Sequence, residues 1–195
     1  MRDGYTDLPP GKLANVVTYL EMRTPPPVTV TSTTSDFIVR HVSRPDLDWY
    51  RRLFRAIGEN WLWFSRLRLS DDELRAILHD PAIDIYVLSY TGGDVGLLEL
   101  DRRHMPDIEI SFFGVTQEMI GKGAGRALLA HCLPMAWGHQ PQRVWLHTCT
   151  SDHPAALGFY MRLGFVPYKR AVEISDDPRV TGDIPRNAAL HVPIV

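Results

Sequence analysis

The sequence predicts an α/β fold: a mixed, mainly antiparallel sheet flanked by helices. Three consecutive strand-like runs, Ile83–Tyr90, Val95–Leu100 and the run from Asp107, are joined by short turns, which makes them antiparallel neighbours. The third run passes through Gly121, Gly123 and Gly125 directly into a helical pattern at Ala127–Leu129. A further strand, Arg143–Thr148, follows that helix, and such a crossover pairs it parallel to the strand at Asp107.

Residues 1–35 read as an N-terminal extension and linker. Leu13–Leu20 fits a helical turn or two in a loosely ordered tail, and the Pro-, Thr- and Ser-rich run Thr24–Asp36 reads as extended linker. Phe37–Val42 reads as a strand. Pro45 and Asp46 open a helix whose apolar positions Trp49, Tyr50, Leu53, Phe54 and Ile57 recur at helical spacing up to Gly58. The aromatic cluster Trp61, Trp63 and Phe64 suits either core or the wall of an acceptor pocket. Ser70 with Glu73 makes a capping box for a second helix carrying Leu74, Ile77 and Leu78. Thr91–Asp94 is a hairpin turn. Pro134 is expected to kink or shorten the helix after the glycines. Asp152 or His153 starts another helix with Pro154 at an early position, Val166–Ile174 reads as a strand, Asp176–Arg186 as loop, and Ala188–Val192 as a last strand.

Composition excludes several classes. Hydrophobic residues at 45% and charged residues at 23% are ordinary for a chain that buries a core. A net charge of −2 gives no global basic field for nucleic acid. The apolar runs are too short to span a bilayer, and the first residues lack the apolar core of a signal peptide. Two cysteines, Cys132 and Cys149, make no disulfide framework, so a reducing cytoplasm is the expected compartment.

The chemistry concentrates at Asp107–Leu129. A strand, a glycine turn and a helix start form a natural anion site, because first-turn N–H groups lack helical partners and the dipole favours negative charge. Lys122 and Arg126 add positive charge. A P-loop would need Ser or Thr after Lys122, where Gly123 stands, and a dinucleotide fingerprint would need its last glycine one place later than Gly125. A glycine turn that merely joins strand to helix remains an open reading.

Ile120, Gly121, Gly123 and Gly125 nevertheless resemble the pyrophosphate loop of the GNAT superfamily of acetyl-CoA-dependent N-acetyltransferases. Gly123 and Gly125 match its last two positions, and Ile120 stands where Gln or Arg is usual. Further on, Ala156, Tyr160, Gly164 and Phe165 match the family's second pattern, with His153 in place of Asn. The two motifs stand in the right order, joined by a strand, and the resemblance covers about Phe37–Ile174. It implies an acetyltransferase domain over residues 36–195 with a V-shaped cleft between two parallel strands. In that cleft acetyl-CoA would serve as co-substrate, without metal, for direct attack by a primary amine of a small molecule, peptide or protein.

The resemblance assigns roles as well. Ile120, Gly121, Lys122, Gly123, Ala124, Gly125 and Arg126 would hold the pyrophosphate. Phe113, Gly114 and Val115 would pair with the pantetheine chain as an added strand, with Gly114 allowing a bulge and the Val115 N–H polarising the carbonyl. His153 and Ala156 would complete the cofactor site, and Tyr160 would donate a proton to the leaving thiolate. Glu109, a carboxylate inside an apolar strand, would be the base, with Glu99 and His104 as alternatives and an ordinary solvent-facing Glu as the plain reading. A base is useful because a lysine-type amine, pKa ~10.4, is only about one part in 10³ neutral at pH 7.

Other constellations are weaker. His147, Cys149 and His153 lack the defined spacing of a metal site, Cys149 as nucleophile would need a positioned base, and His131 suits the surface. A non-catalytic acyl-CoA-binding module of the same fold competes with the enzyme. Partners are expected to be acetyl-CoA and an amine, with no nucleic acid and no membrane, and a homodimer is compatible with this picture.

Overall fold

A computed structural model of the chain describes residues 3–26 and 36–195. Most of the expected linker therefore lies outside the described residues. The strands are β1 (Lys12–Met22), β2 (Phe37–His41), β3 (Ile83–Tyr90), β4 (Gly93–Asp101), β5 (Asp107–Val115), β6 (Arg143–Cys149) and β7 (Val166–Asp176). The helices are α1 (Leu47–Gly58), α2 (Asp71–Leu78), α3 (Ala124–Gly138), α4 (Ala156–Arg162) and α5 (Pro178–Thr181). Among the described residues the seven strands form one sheet in the order β2-β3-β4-β5-β6-β1-β7. Every neighbouring pair is antiparallel except β5 and β6, which run parallel as the α3 crossover requires.

Two layers cover the sheet. On one face α1 and α2 bring Tyr50, Phe54 and Leu74 against Ile85, Val87 and Leu97. On the other, α3 packs Leu128, Leu129 and Leu133 on Leu88, Leu98, Ile108 and Ile110. Asp46 caps α1 by accepting from the Trp49 N–H, and Ser70 and Glu73 close the expected capping box at α2. The β3–β4 hairpin turns at Thr91 and Gly92, both at positive φ, as a tight antiparallel turn requires.

Four expectations are corrected. Leu13–Leu20 is not helical: it belongs to β1, which lies between β6 and β7 and pairs with both. Its buried face changes along its length, which hides the period of two. Leu13 packs with Ile184, Ala188 and Ala189, whereas Leu20 and Met22, of opposite parity, join the α3 side. Pro134 does not shorten α3; it stands inside the helix at an exposed position, where the loss of one intrahelical hydrogen bond is least costly. Asp176–Arg186 contains α5, started by Asp177, whose carboxylate accepts from the Arg179 N–H. Ala188–Val192 forms no strand, because the carbonyls of Ala188, Ala189 and Val192 accept from the buried Arg179 guanidinium.

Candidate active site

The site begins where two strands part. β5 and β6 pair only at Asp107–Arg143, Ile108–Val144 and Glu109–Trp145. Immediately beyond, β5 carries an extra residue against β4: Leu100 faces Ile110 and Glu99 faces Phe112, leaving Ser111 as a bulge. A bulge bends its strand and strengthens its twist, which accounts for the splay at this point. The bulge therefore lies at Ser111 and not at Gly114, a correction to the sequence expectation. Gly114 is glycine for another reason: a Cβ there would stand 2.5 Å from Ile57 Cγ2 and 3.1 Å from the Trp63 ring. The bulge also switches the alternation of β5. Ile108, Ile110, Phe113 and Val115 join the α3 side, while Phe112 joins Phe54 and Trp63 on the α1 side.

The V opens into a cavity of about 820 Å³. Its walls are Ile110–Val115 of β5, Leu146, His147 and Cys149 of β6, and Trp61–Ser65 between α1 and α2. Phe113, Gly114, Val115, Ile120, Gly121, Gly123, Gly125, Arg126, His153, Ala156 and Tyr160 all line it. Lys122 and Ala124 do not: Lys122 is exposed beside the loop, and Ala124 is buried under it in the α3 core.

The loop suits an anion. Gly121 and Gly123 have φ of 78° and 85°, and nothing lies within 4 Å of where their Cβ atoms would be. Gly123 is the N-cap of α3 and supplies no side-chain cap, so the first-turn N–H groups are left for a ligand. Arg126 and Arg162 are the cations of the cavity wall. The cradle presents backbone donors that could hold an anion such as a pyrophosphate, and the Ile110–Val115 edge is parted from β6, as an added extended strand would require.

Tyr160 is held by Phe113, Phe159 and Phe165 at ring separations of 5.9, 5.6 and 6.2 Å. Burial, and secondarily the nearby Asp152, push its hydroxyl far above the ordinary phenol value, so it keeps its proton. Asp152 was read from the sequence only as a candidate helix start; α4 begins later, at Ala156, and Asp152 serves the site instead. Its carboxylate accepts from the Thr148 hydroxyl at 2.7 Å, the Cys149 N–H at 2.8 Å and the Trp63 indole at 3.3 Å, which ties the aromatic segment to the end of β6. Burial, with Asp152 adding, raises the Cys149 thiol to about 11, which disfavours a thiolate nucleophile.

Glu109 occupies the last paired position before the splay. Burial raises its carboxyl to about 7, helped by the charges of Asp101 and Glu99. It does not itself line the cavity; His147 does, and its Nδ1 lies 3.8 Å from Glu109 Oε1. The two alternatives to Glu109 are placed differently. Glu99 is fully buried, accepting from the Tyr50 hydroxyl at 2.8 Å and paired with Arg66, whose guanidinium sits over the Phe112 ring. His104 is exposed in the β4–β5 turn. His131 is exposed on α3 near Tyr86. Asn15 of β1 and Glu173 of β7 also line the cavity. Neither was legible before β1 was known to lie in the sheet. Among the described residues, no group of three or more His, Cys, Asp or Glu side chains could hold a metal ion, and no helix is long and apolar enough to cross a membrane.

Comparisons with known proteins agree with this geometry. The model of the acetyltransferase (GNAT) family matches residues 47–165. The fold resembles a conserved protein of unknown function from Staphylococcus epidermidis at 20% identity and a TM-score of 0.60, covering 86% of this chain and 63% of that one. It resembles an aminoglycoside acetyltransferase from an uncultured soil metagenomic sample, crystallised with trehalose, at 15% identity and a TM-score of 0.57, covering 68% of this chain and 90% of that one. A GCN5-related N-acetyltransferase from Kribbella flavida aligns at 16% identity and a TM-score of 0.57, covering 88% of this chain and 63% of that one. No curated protein sequence matches the chain.

Proposed function

Because the chain belongs to the acetyltransferase (GNAT) family, we propose that it is an N-acetyltransferase that moves an acetyl group from acetyl-CoA to a primary amine in a ternary complex. The observation that carries this reading is the cavity itself. One continuous space joins an uncapped, glycine-lined helix start to the splayed edge of β5 and to a buried tyrosine that retains its proton.

In this reading the N–H groups of Gly121–Arg126 bind the pyrophosphate, with Lys122 and Arg126 adding charge. The pantetheine chain pairs with Phe113–Val115, and the Val115 N–H donates to the thioester carbonyl. His153 and Ala156 close the cofactor side. The amine attacks the carbonyl carbon, the C–S bond breaks, and the Tyr160 hydroxyl protonates the departing sulfur. Glu109 is the carboxylate of the proton path from the amine; with its carboxyl near 7 it is matched to acid–base work at neutral pH. The Trp61, Trp63 and Phe64 side chains form the acceptor wall, which suits an amine carried on an apolar or flat body.

The test is amine-dependent release of free CoA thiol from acetyl-CoA, with the acetylated amine identified by mass spectrometry. The panel is 2-phenylethylamine, 1,4-diaminobutane, an aminoglycoside and a lysine-containing peptide. Release that depends on amine supports the enzyme. Acetyl-CoA binding without release from any of the four favours the non-catalytic module.

A further inference from the structure

We propose that His147 is the residue that takes the proton from the acceptor amine, with Glu109 behind it as the positioning carboxylate. This rests on the acetyltransferase reading above and refines its proton path. The cavity lining and exposure separate the two groups. On β5 the lining runs from Ile110 and does not include Glu109, whose side chain is 22% exposed, whereas His147 of β6 is part of the wall and its side chain is 46% exposed. The pair stands at the point where β5 and β6 part, which is where an amine must reach a thioester laid along the β5 edge. Glu109 approaches His147 at Nδ1, which leaves Nε2 for the acceptor. At 3.8 Å the contact is an ion-pair distance and not a hydrogen bond, and catalytic contacts of this length commonly tighten only in the reacting complex.

The surroundings hold the ring in place. Tyr19 of β1 lies 5.6 Å from the imidazole and Trp145 of β6 lies 6.5 Å away, both as ring contacts. Lys169 Nζ of β7 lies over the Tyr19 ring, 4.5 Å from its centroid. Behind Glu109 stand Asp101 and Glu99 of β4, with Arg66 and Arg103 offsetting their charge. A carboxylate at Nδ1 selects the tautomer whose Nε2 accepts, and it stabilises the imidazolium that results. In the step, the amine nitrogen bonds to the thioester carbonyl carbon while its proton passes to His147 Nε2. The C–S bond then breaks, the Tyr160 proton goes to sulfur, and both residues are reset by exchange with solvent.

The experiment uses the full chain with acetyl-CoA and the four-amine panel, and measures kcat and KM against pH for wild type, His147→Gln, Glu109→Gln and the double variant. His147→Gln is expected to lower kcat by ~10²-fold or more, with acetyl-CoA affinity by calorimetry little changed. The double variant is expected to be no worse than His147→Gln alone, because the two residues act as one unit. His147→Ala is expected to regain rate when free imidazole is added, which a merely structural histidine would not do. A His147→Gln enzyme within about threefold of wild type with the same pH profile, or losses that multiply in the double variant, would overturn the proposal while leaving the acetyltransferase reading intact. No turnover of any panel amine by wild type would remove that reading, and the proposal with it.

Discussion

Glu109 connects burial, proton affinity and stability in one side chain. Its carboxyl is raised from an ordinary 4.5 to about 7, first by burial and then by Asp101 and Glu99. Between those values the folded chain holds a proton that the unfolded chain has released, so stability from this group is complete at low pH and falls as pH rises toward 7. Glu109→Gln removes the cost of burying the charge. Its melting temperature should exceed that of wild type at about pH 8, by the equivalent of ~1–3 kcal/mol, and the difference should close near about pH 4. A variant equally destabilised at both pH values would show that Glu109 is held by favourable contacts and not strained by desolvation. Tyr160 gives a second prediction at this scale. Tyr160→Phe removes only the hydroxyl, so turnover should fall by ~10²-fold while acetyl-CoA affinity, by calorimetry, stays near that of wild type. Equal turnover would return Tyr160 to a packing role among Phe113, Phe159 and Phe165.

The elements differ in how far the sequence displayed them. The capping box at Ser70, the hairpin at Thr91–Gly92 and the crossover from β5 through α3 to β6 were legible because each rests on local chemistry: a cap, a positive φ, a glycine start. β1 was not, because the layer that buries it changes from the C-terminal segment at Leu13 to the α3 side at Leu20, so neither face is apolar throughout. The Ser111 bulge was hidden for a related reason, since one extra residue in β5 reverses the alternation that a strand reading depends on. The candidate cofactor residues were legible through their glycines and the paired motifs. The part of the wall formed by Asn15 and Glu173 was not, since these residues reach the cavity only through the placement of β1 and β7. β1 is thus an internal strand of the sheet, with Leu20 fully buried. Leu20→Ala should cost ~2–5 kcal/mol in urea unfolding, as a core truncation does. A change within ~0.5 kcal/mol, the range of a surface substitution, would mean that β1 is not part of the cooperative unit.

At the scale of the molecule, one bend organises the site. The bulge at Ser111 parts β5 from β6 just past Glu109, and the same parting opens the cavity, frees the β5 edge and sets His147 in the wall. The glycine loop then delivers α3 with its first turn uncapped at the other end of that space. In the proposed function these form a single acetyl-CoA site, with the pyrophosphate at one end and the thioester where the strands part. Amide hydrogen exchange with and without acetyl-CoA tests this most directly, because it reads the two backbone segments by name and needs no acceptor. The account predicts that acetyl-CoA slows exchange at Gly121–Arg126 and at Phe113–Val115 together. Protection confined to other parts of the chain, or at neither segment under saturating acetyl-CoA, would contradict it.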